Sequence, residues 1–390
     1  MNRVRRLALV PFALLVTAAA PAPADYAVDA QSIEAVVNTN YAYLERFPGS
    51  RMPMTPKLRA EAQAVKEARQ LVRYSERALA LLADHHAITG SSMKDSWAVF
   101  PSYGDLWVDR QGGGYLIEQV RDGSPAEQAG IRAGDRLVAV DGQDAVSAVA
   151  AFWAELGTTG GGARDGYAAR VLAAGRRDRP RRLTVQSGTG PPRALLLPTL
   201  YSLPQVERPP LTVTSASGEY RIRFNDSLGD SAAIAAFDAA MVAAPRGARL
   251  VIDLRDTPSG GNTTIARAVM GWFVTRPTFY QVHNLPAEER QTGVARQWAE
   301  QVLPRAGKQY RGPVTVRVGR WTGSMGEGLA IGFAALRARV EGSRMAGLLG
   351  AIYDHRLARS GQVIKLPTER LYTVDGLPRE RFVPKPSPTH

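Results

Sequence analysis

The sequence contains no cysteine. That excludes a disulfide framework, a thiol nucleophile and an N-terminal lipid-modified cysteine. A chain of 390 residues can do without cross-links because its cores are large enough. Long apolar runs are missing as well. Leu7 to Val16 is short, and no later segment approaches the roughly 20 uninterrupted apolar residues of a membrane span. Lysine is scarce (Lys57, Lys66, Lys94, Lys308, Lys365 and Lys385), and so is histidine (His85, His86, His283, His355 and His390). Any proton-transfer chemistry therefore has few bases to draw on.

What is present begins with a targeting pattern. Arg3, Arg5 and Arg6 precede the short apolar run, and Ala22-Pro23-Ala24 supplies the small residues a signal peptidase needs. A signal peptide over residues 1–24 is expected. The mature protein would then be secreted to the bacterial periplasm or beyond, with no stable membrane insertion once the leader is removed. Net charge is +13, or +10 without the three leader arginines, which favours anionic surroundings. The dense cluster RRDRPRR (176–182) has no interleaved aromatics and no zinc or helix-turn-helix context, so it reads as a solvated loop and no nucleic-acid partner is expected.

Three regions follow the leader. Residues 25–101 read as helical, with Ile33, Val36, Val37, Tyr41 and Leu44 at helical spacing. Thr55-Pro56 then caps a long amphipathic helix carried by Leu58, Ala62, Val65, Val72, Leu79 and Leu82. Residues 102–200 are β-rich. Strands at 104–108 and 114–120 are joined by a turn, and Ser124-Pro125-Ala126-Glu127 has the form of a capping box. Residues 201–390 alternate strands and helices in α/β fashion: EYRIRF (219–224), a helix with Ile234, Phe237 and Met241 on one face, RLVIDL (249–254) and a strand at 314–318.

Two turns in this last region carry candidate chemistry. WTGSMGEG places Ser324 between a strand and a helix, where the helix N-terminus supplies donors to a developing oxyanion. The G-x-S-x-G elbow is not met, because Thr322 stands at the first glycine, so an α/β-hydrolase is not supported. Alone, Ser324 reads as a helix cap. The turn DLRDTPSGGNTT (253–264) also joins a strand to a helix, and Gly260-Gly261 permits close backbone approach. The two turns are expected to meet over one pocket. A phosphate-binding loop would need a lysine that is missing here.

The run SPAEQAGIRAGDRLVAVDG resembles a PDZ domain of the protease-associated type. That likeness implies peptide-carboxylate binding by Tyr103, Gly104, Asp105 and Leu106. The order DLR…GG followed by TGSMGE resembles the tail-specific and tricorn-core serine peptidases. The resemblance implies a multidomain α/β protein with an N-terminal helical segment, a PDZ-like domain and a ClpP/crotonase-like β-β-α spiral. It also implies an oxyanion hole from Met325 and Gly260 or Gly261, a protein or peptide substrate, and no cofactor or metal.

The family's lysine branch carries G-K where this chain has Gly347-Leu348, which leaves Lys365 as a remote substitute. The segment LADHHA is similar to the one that carries a histidine base, which implies His86, with His85 and His355 as rivals. VDGLPRERF resembles the family's late acidic segment and implies Glu380 as the acid that orients the imidazole. Glu327, three residues after Ser324, is a further acid near the site or simply a first-turn residue favoured by the helix dipole. With an ordinary imidazole, activity is expected to fall below about pH 6. The alternative is a peptidase fold that has lost turnover and binds peptides.

Overall fold

The computed structural model describes residues 21–204, 207–216 and 218–387. The expected leader lies almost wholly outside them. Among the described residues, no helix is long and apolar enough to cross a membrane.

The N-terminal region is helical, as its spacing implies. The helix Pro23–Asn40 buries Ile33 and Val37. Thr55 caps Pro56–Gln63 by accepting the Leu58 N–H at 3.2 Å. The expected single long helix is in fact two, Pro56–Gln63 and Ala68–Ala80. The break occurs where the Gln70 side chain accepts the Lys66 N–H at 2.7 Å. Such side chain-to-backbone bonds compete with helical ones.

Next comes an antiparallel sheet of Leu106–Gln111, Gly114–Val120, Arg136–Val140, Arg181–Gln186 and Arg193–Leu197, in that spatial order. Ser124 caps Pro125–Gln128, as its pattern implies. Two helices, Ala145–Glu155 and Ala163–Ala174, fill the stretch before Arg181. The second lies along the outer edge of Leu106–Gln111. There Arg170 donates to the Val108 carbonyl at 3.1 Å and pairs with Asp109, while Asp165 pairs with Arg110. The arginine cluster at 176–182 is a solvated loop only in part, with Arg179 and Arg182 exposed. Arg181 is 3% exposed and pairs with the buried Asp105 at 2.5 Å. Arg176 lies over Trp97, and Arg177 over Tyr201. Three of its five arginines are thus taken up by aromatic faces and one buried acid supplied from elsewhere.

The last region holds two sheets. One runs Arg339–Gly342, Val314–Val318, Arg249–Asp253, Glu219–Phe224, Leu211–Ala216, and is parallel except for its final hairpin pair. In-register partners such as Ile252 with Ile222 and Val316 send both strands of the candidate turns in one direction. Their carboxyl ends therefore lie side by side. Helices Ala232–Ala243, Thr263–Met270 and Met325–Ala335 complete a core around Phe224, Phe237, Ile252, Leu329 and Phe333, all fully buried.

The other sheet is antiparallel, built on Val363–Tyr372 with Thr278–Asn284, Gln297–Val302 and Ala351–Arg356. Its edge strand is Ile88–Thr89, where Ile88 pairs with Lys365 and Thr89 with Ile364. This long-range pairing carries the histidine segment from the N-terminal region to the serine side of the molecule.

Candidate active site

The two glycine-rich turns meet. After the parallel strands end, the Thr257 N–H still bonds the Trp321 carbonyl at 2.9 Å, and the Gly323 N–H bonds the Thr257 carbonyl at 3.1 Å. Thr257 and Thr322 both tie their hydroxyls to the Leu254 carbonyl at 2.7 Å, which locks each turn to the same strand end. A Cβ placed on Gly260 would lie 2.4 Å from Ser324 Cβ and 2.8 Å from its Oγ. With φ at +71°, Gly260 needs glycine on both steric and conformational grounds.

Ser324 is held at φ 51°, ψ −114°. A side chain at positive φ costs about 1–3 kcal/mol and persists only where its surroundings over-determine it. The restraint here is Glu327, fully buried in the next helix, which accepts the Ser324 N–H at 2.9 Å. The N–H groups of Gly260, Gly261 and Met325 donate to no acceptor among the described residues. Gly260 and Met325 flank the hydroxyl, since the Gly260 Cβ position is 3.3 Å from Met325 N. Unspent donors beside a strained serine are what a developing oxyanion requires.

Glu327 also reaches the segment where the lysine branch would carry its base. Its two oxygens accept the N–H groups of Gly347 at 2.8 Å and Leu348 at 3.2 Å. Arg379, 2% exposed, grips the same segment from the other side through the carbonyls of Leu348 and Gly350, both at 2.8 Å. Leu348 turns its apolar side chain toward Gly323. Lys365 is absent from the site, since its ammonium pairs with Asp354 at 2.7 Å.

The carbonyl between those two grips, Leu349 O, is 2.7 Å from His86 Nδ1. A carbonyl only accepts, so Nδ1 carries the proton and Nε2 presents its lone pair. Nε2 has no hydrogen-bond partner among the described residues, and no bond joins it to Ser324 Oγ. Burial, aided by the positive charge of Arg379, lowers the His86 pKa to about 4. The expected fall in activity below pH 6 thus rested on an imidazole in water, which His86 is not. Glu327 moves the other way, to about 7, because burial outweighs Arg379 and its three N–H donors.

Glu380 does not touch the imidazole, whose Nδ1 already belongs to Leu349. One of its oxygens is buried without a partner, and its charge acts on Tyr43 and Asp84. Asp84 holds the histidine backbone instead, accepting the His86 N–H at 2.9 Å and the Tyr41 hydroxyl at 2.9 Å. His85 faces away, stacked on Tyr167 with Nε2 accepting from Arg170 at 3.0 Å. His355 bonds Thr368.

Sequence reasoning passed over Arg379 and His283. His283 lies between Glu369 at 2.8 Å and Glu300 at 3.2 Å; against burial, these carboxylates raise its pKa to about 9. No motif marks either residue. Arg379 is one of two arginines within three residues, and only burial distinguishes it.

The implied carboxylate loop is not free. The N–H groups of Tyr103 and Gly104 are spent on Val99 and Pro101 carbonyls. Asp105 is fully buried against Arg181, Leu106 is buried, and the Tyr103 ring stacks on Tyr201 at 3.6 Å. The Gly104 carbonyl accepts the Trp321 indole N–H at 2.7 Å, three residues before the serine. A second strut joins Arg121 to Asp256, at 2.8 Å, in the glycine turn. A third joins Arg320 to Glu118 at 2.5 Å.

Comparison with known proteins gives this geometry its family. The profile of Peptidase family S41 matches residues 229–381, which hold both turns and Arg379. The chain is thus a serine-type peptidase with an S41 peptidase region. A PDZ domain profile matches residues 116–150. Among solved structures, the chain is similar to the photosystem II D1 C-terminal processing protease, with 18% identity over 93% of both chains and a TM-score of 0.57. It is also similar to mature CPAF complexed with lactacystin, with 14% identity over 93% of both chains and a TM-score of 0.58. At such identities the likeness is one of fold. No curated protein matches the chain.

Proposed function

We propose that this serine-type peptidase is a secreted endopeptidase that cleaves protein or peptide substrates through an acyl-enzyme formed on Ser324. The observation that carries it is the contact of Gly260 with Ser324, which sets free N–H groups around a strained hydroxyl. In this reading Oγ attacks the scissile carbonyl as its proton passes to His86 Nε2. The tetrahedral oxyanion is held by Met325 N–H and by Gly260 or Gly261 N–H. The C–N bond then breaks, His86 returns the proton to the departing amine, and water releases the acyl group by the same steps. The orienting role assigned to Glu380 passes to Leu349 O, which already fixes the tautomer.

The leader pattern supports action outside the cytoplasm, in the periplasm or beyond. Tail recognition by the PDZ domain belongs, in this reading, to a state in which the helix Ala163–Ala174 has left the strand edge that Arg170 now caps. A second reading, a peptide-binding module without turnover, is favoured by one observation: no hydrogen bond joins Ser324 to His86. Serine–base bonds often tighten only in the substrate complex. A fluorophosphonate probe separates the two. Labelling of the wild type and none of Ser324→Ala supports catalysis, whereas equal labelling, or none in either, supports the binding module.

A further inference from the structure

Glu327 also lines a small recess that the reaction above does not use. Glu327, Arg379, Glu380, Arg320, Arg344 and Arg381 are its charged lining residues. Four arginines and two glutamates thus line it. Of the carboxylates, Glu380 keeps one buried oxygen without a partner. Both Glu327 oxygens are spent on the Ser324, Gly347 and Leu348 N–H groups, with Arg379 no closer than 3.9 Å.

The guanidiniums differ in what they already hold. Arg320 is satisfied by Glu118 at 2.5 Å. Arg379 spends Nη2 on two carbonyls, while its Nε is buried with no partner. A buried N–H without an acceptor is costly, so this atom marks a place for one. Arg344 and Arg381 are exposed at the rim and have no acidic partner among the described residues. That contrasts with the arginines of the neighbouring sheet, where Arg221, Arg249, Arg317 and Arg339 are all ion-paired.

We propose that this recess is a binding site for a small oxyanion, held by Arg379 Nε at its floor and by Arg344 and Arg381 at its rim. Planar guanidinium forks match the oxygen spacing of phosphate-like groups, and three directed donors define a site rather than a diffuse attraction. Arg379 also grips the carbonyls on either side of Leu349, so the occupant touches the residue that holds the segment facing His86. The site is separate from the oxyanion hole, and its occupancy does not depend on the peptidase reading.

The test is calorimetric titration of the full chain with inorganic phosphate at constant ionic strength, with sodium chloride as the control. Phosphate is expected to bind at one site per chain. Arg344→Ser and Arg381→Ser, both exposed and outside the catalytic machinery, should each weaken binding about tenfold, as for the loss of one charge-assisted bond. The double variant should abolish binding while keeping its melting temperature. No saturable binding by the wild type, an equal response to chloride, or unchanged affinity in both single variants would overturn the proposal. Loss of binding with an intact fold in the double variant would establish it.

Discussion

Glu327 offers a sharp test, because it is fully buried, accepts three backbone N–H groups and titrates near neutrality. Burial raises its pKa from 4.5 to about 7, so the native state binds a proton more tightly than the unfolded chain does. The linkage sign follows: this group's stabilisation is complete below pH 4.5 and is lost as pH rises through 7. At 1.36 kcal/mol per unit, the loss amounts to roughly 3 kcal/mol. Glu327→Gln cannot ionise, so it should lack that slope. The amide also turns an N–H donor toward at least one of the three backbone donors, which costs about 1–3 kcal/mol at low pH. Urea unfolding of both proteins at pH 5 and pH 8.5 measures the effect. Wild-type stability should fall between those values by roughly 2–3 kcal/mol more than that of the variant. Parallel pH dependence in the two proteins would refute the account of Glu327 as a buried, desolvated acid.

Three further outcomes are expected. Gly260→Ala, whose Cβ would lie 2.4 Å from Ser324 Cβ at φ +71°, should abolish fluorophosphonate labelling, and should cost about 1–3 kcal/mol in urea unfolding. Labelling of the wild type should persist at pH 5, because the imidazole of His86 stays neutral down to about pH 4. Stability from that group is full above 6.5 and falls as pH drops through 4, so an acid limb of labelling centred at 6.5 would contradict the burial argument. Glu380→Gln should keep kcat/KM within about threefold, since Leu349 holds Nδ1, whereas loss of a true orienting acid costs ~10⁴-fold. A steady-state assay on a peptide substrate decides between them.

Much of the fold was legible because it rests on local rules. Thr55-Pro56, Ser124-Pro125 and Asn262 all cap the helices that their patterns announce, since a side-chain acceptor meets an N–H only three residues away. RLVIDL reads as a buried strand because its apolar run needs cover on both faces, and it lies at the centre of its sheet. Where the reading failed, a distant partner had intervened. The arginines at 176–182 met Trp97, Tyr201 and Asp105, and the PDZ-like loop met Trp321.

The sequence by itself determined the two turns, their glycines, the serine between strand and helix, and a shortage of bases. Those are properties of residue type and spacing; His86 came only from the likeness of LADHHA to a family segment. Tertiary structure alone decided which groups surround that serine. Pairing of Ile88–Thr89 with Val363–Tyr372 brings His86 to Leu349, from a position 263 residues away in the chain. Glu327 and Arg379 became structural only when burial removed water from both, because a charge without solvent must find its partners in the protein. The same burial moved His86 down and Glu327 up from their ordinary pKa values, a shift that no spacing of letters encodes.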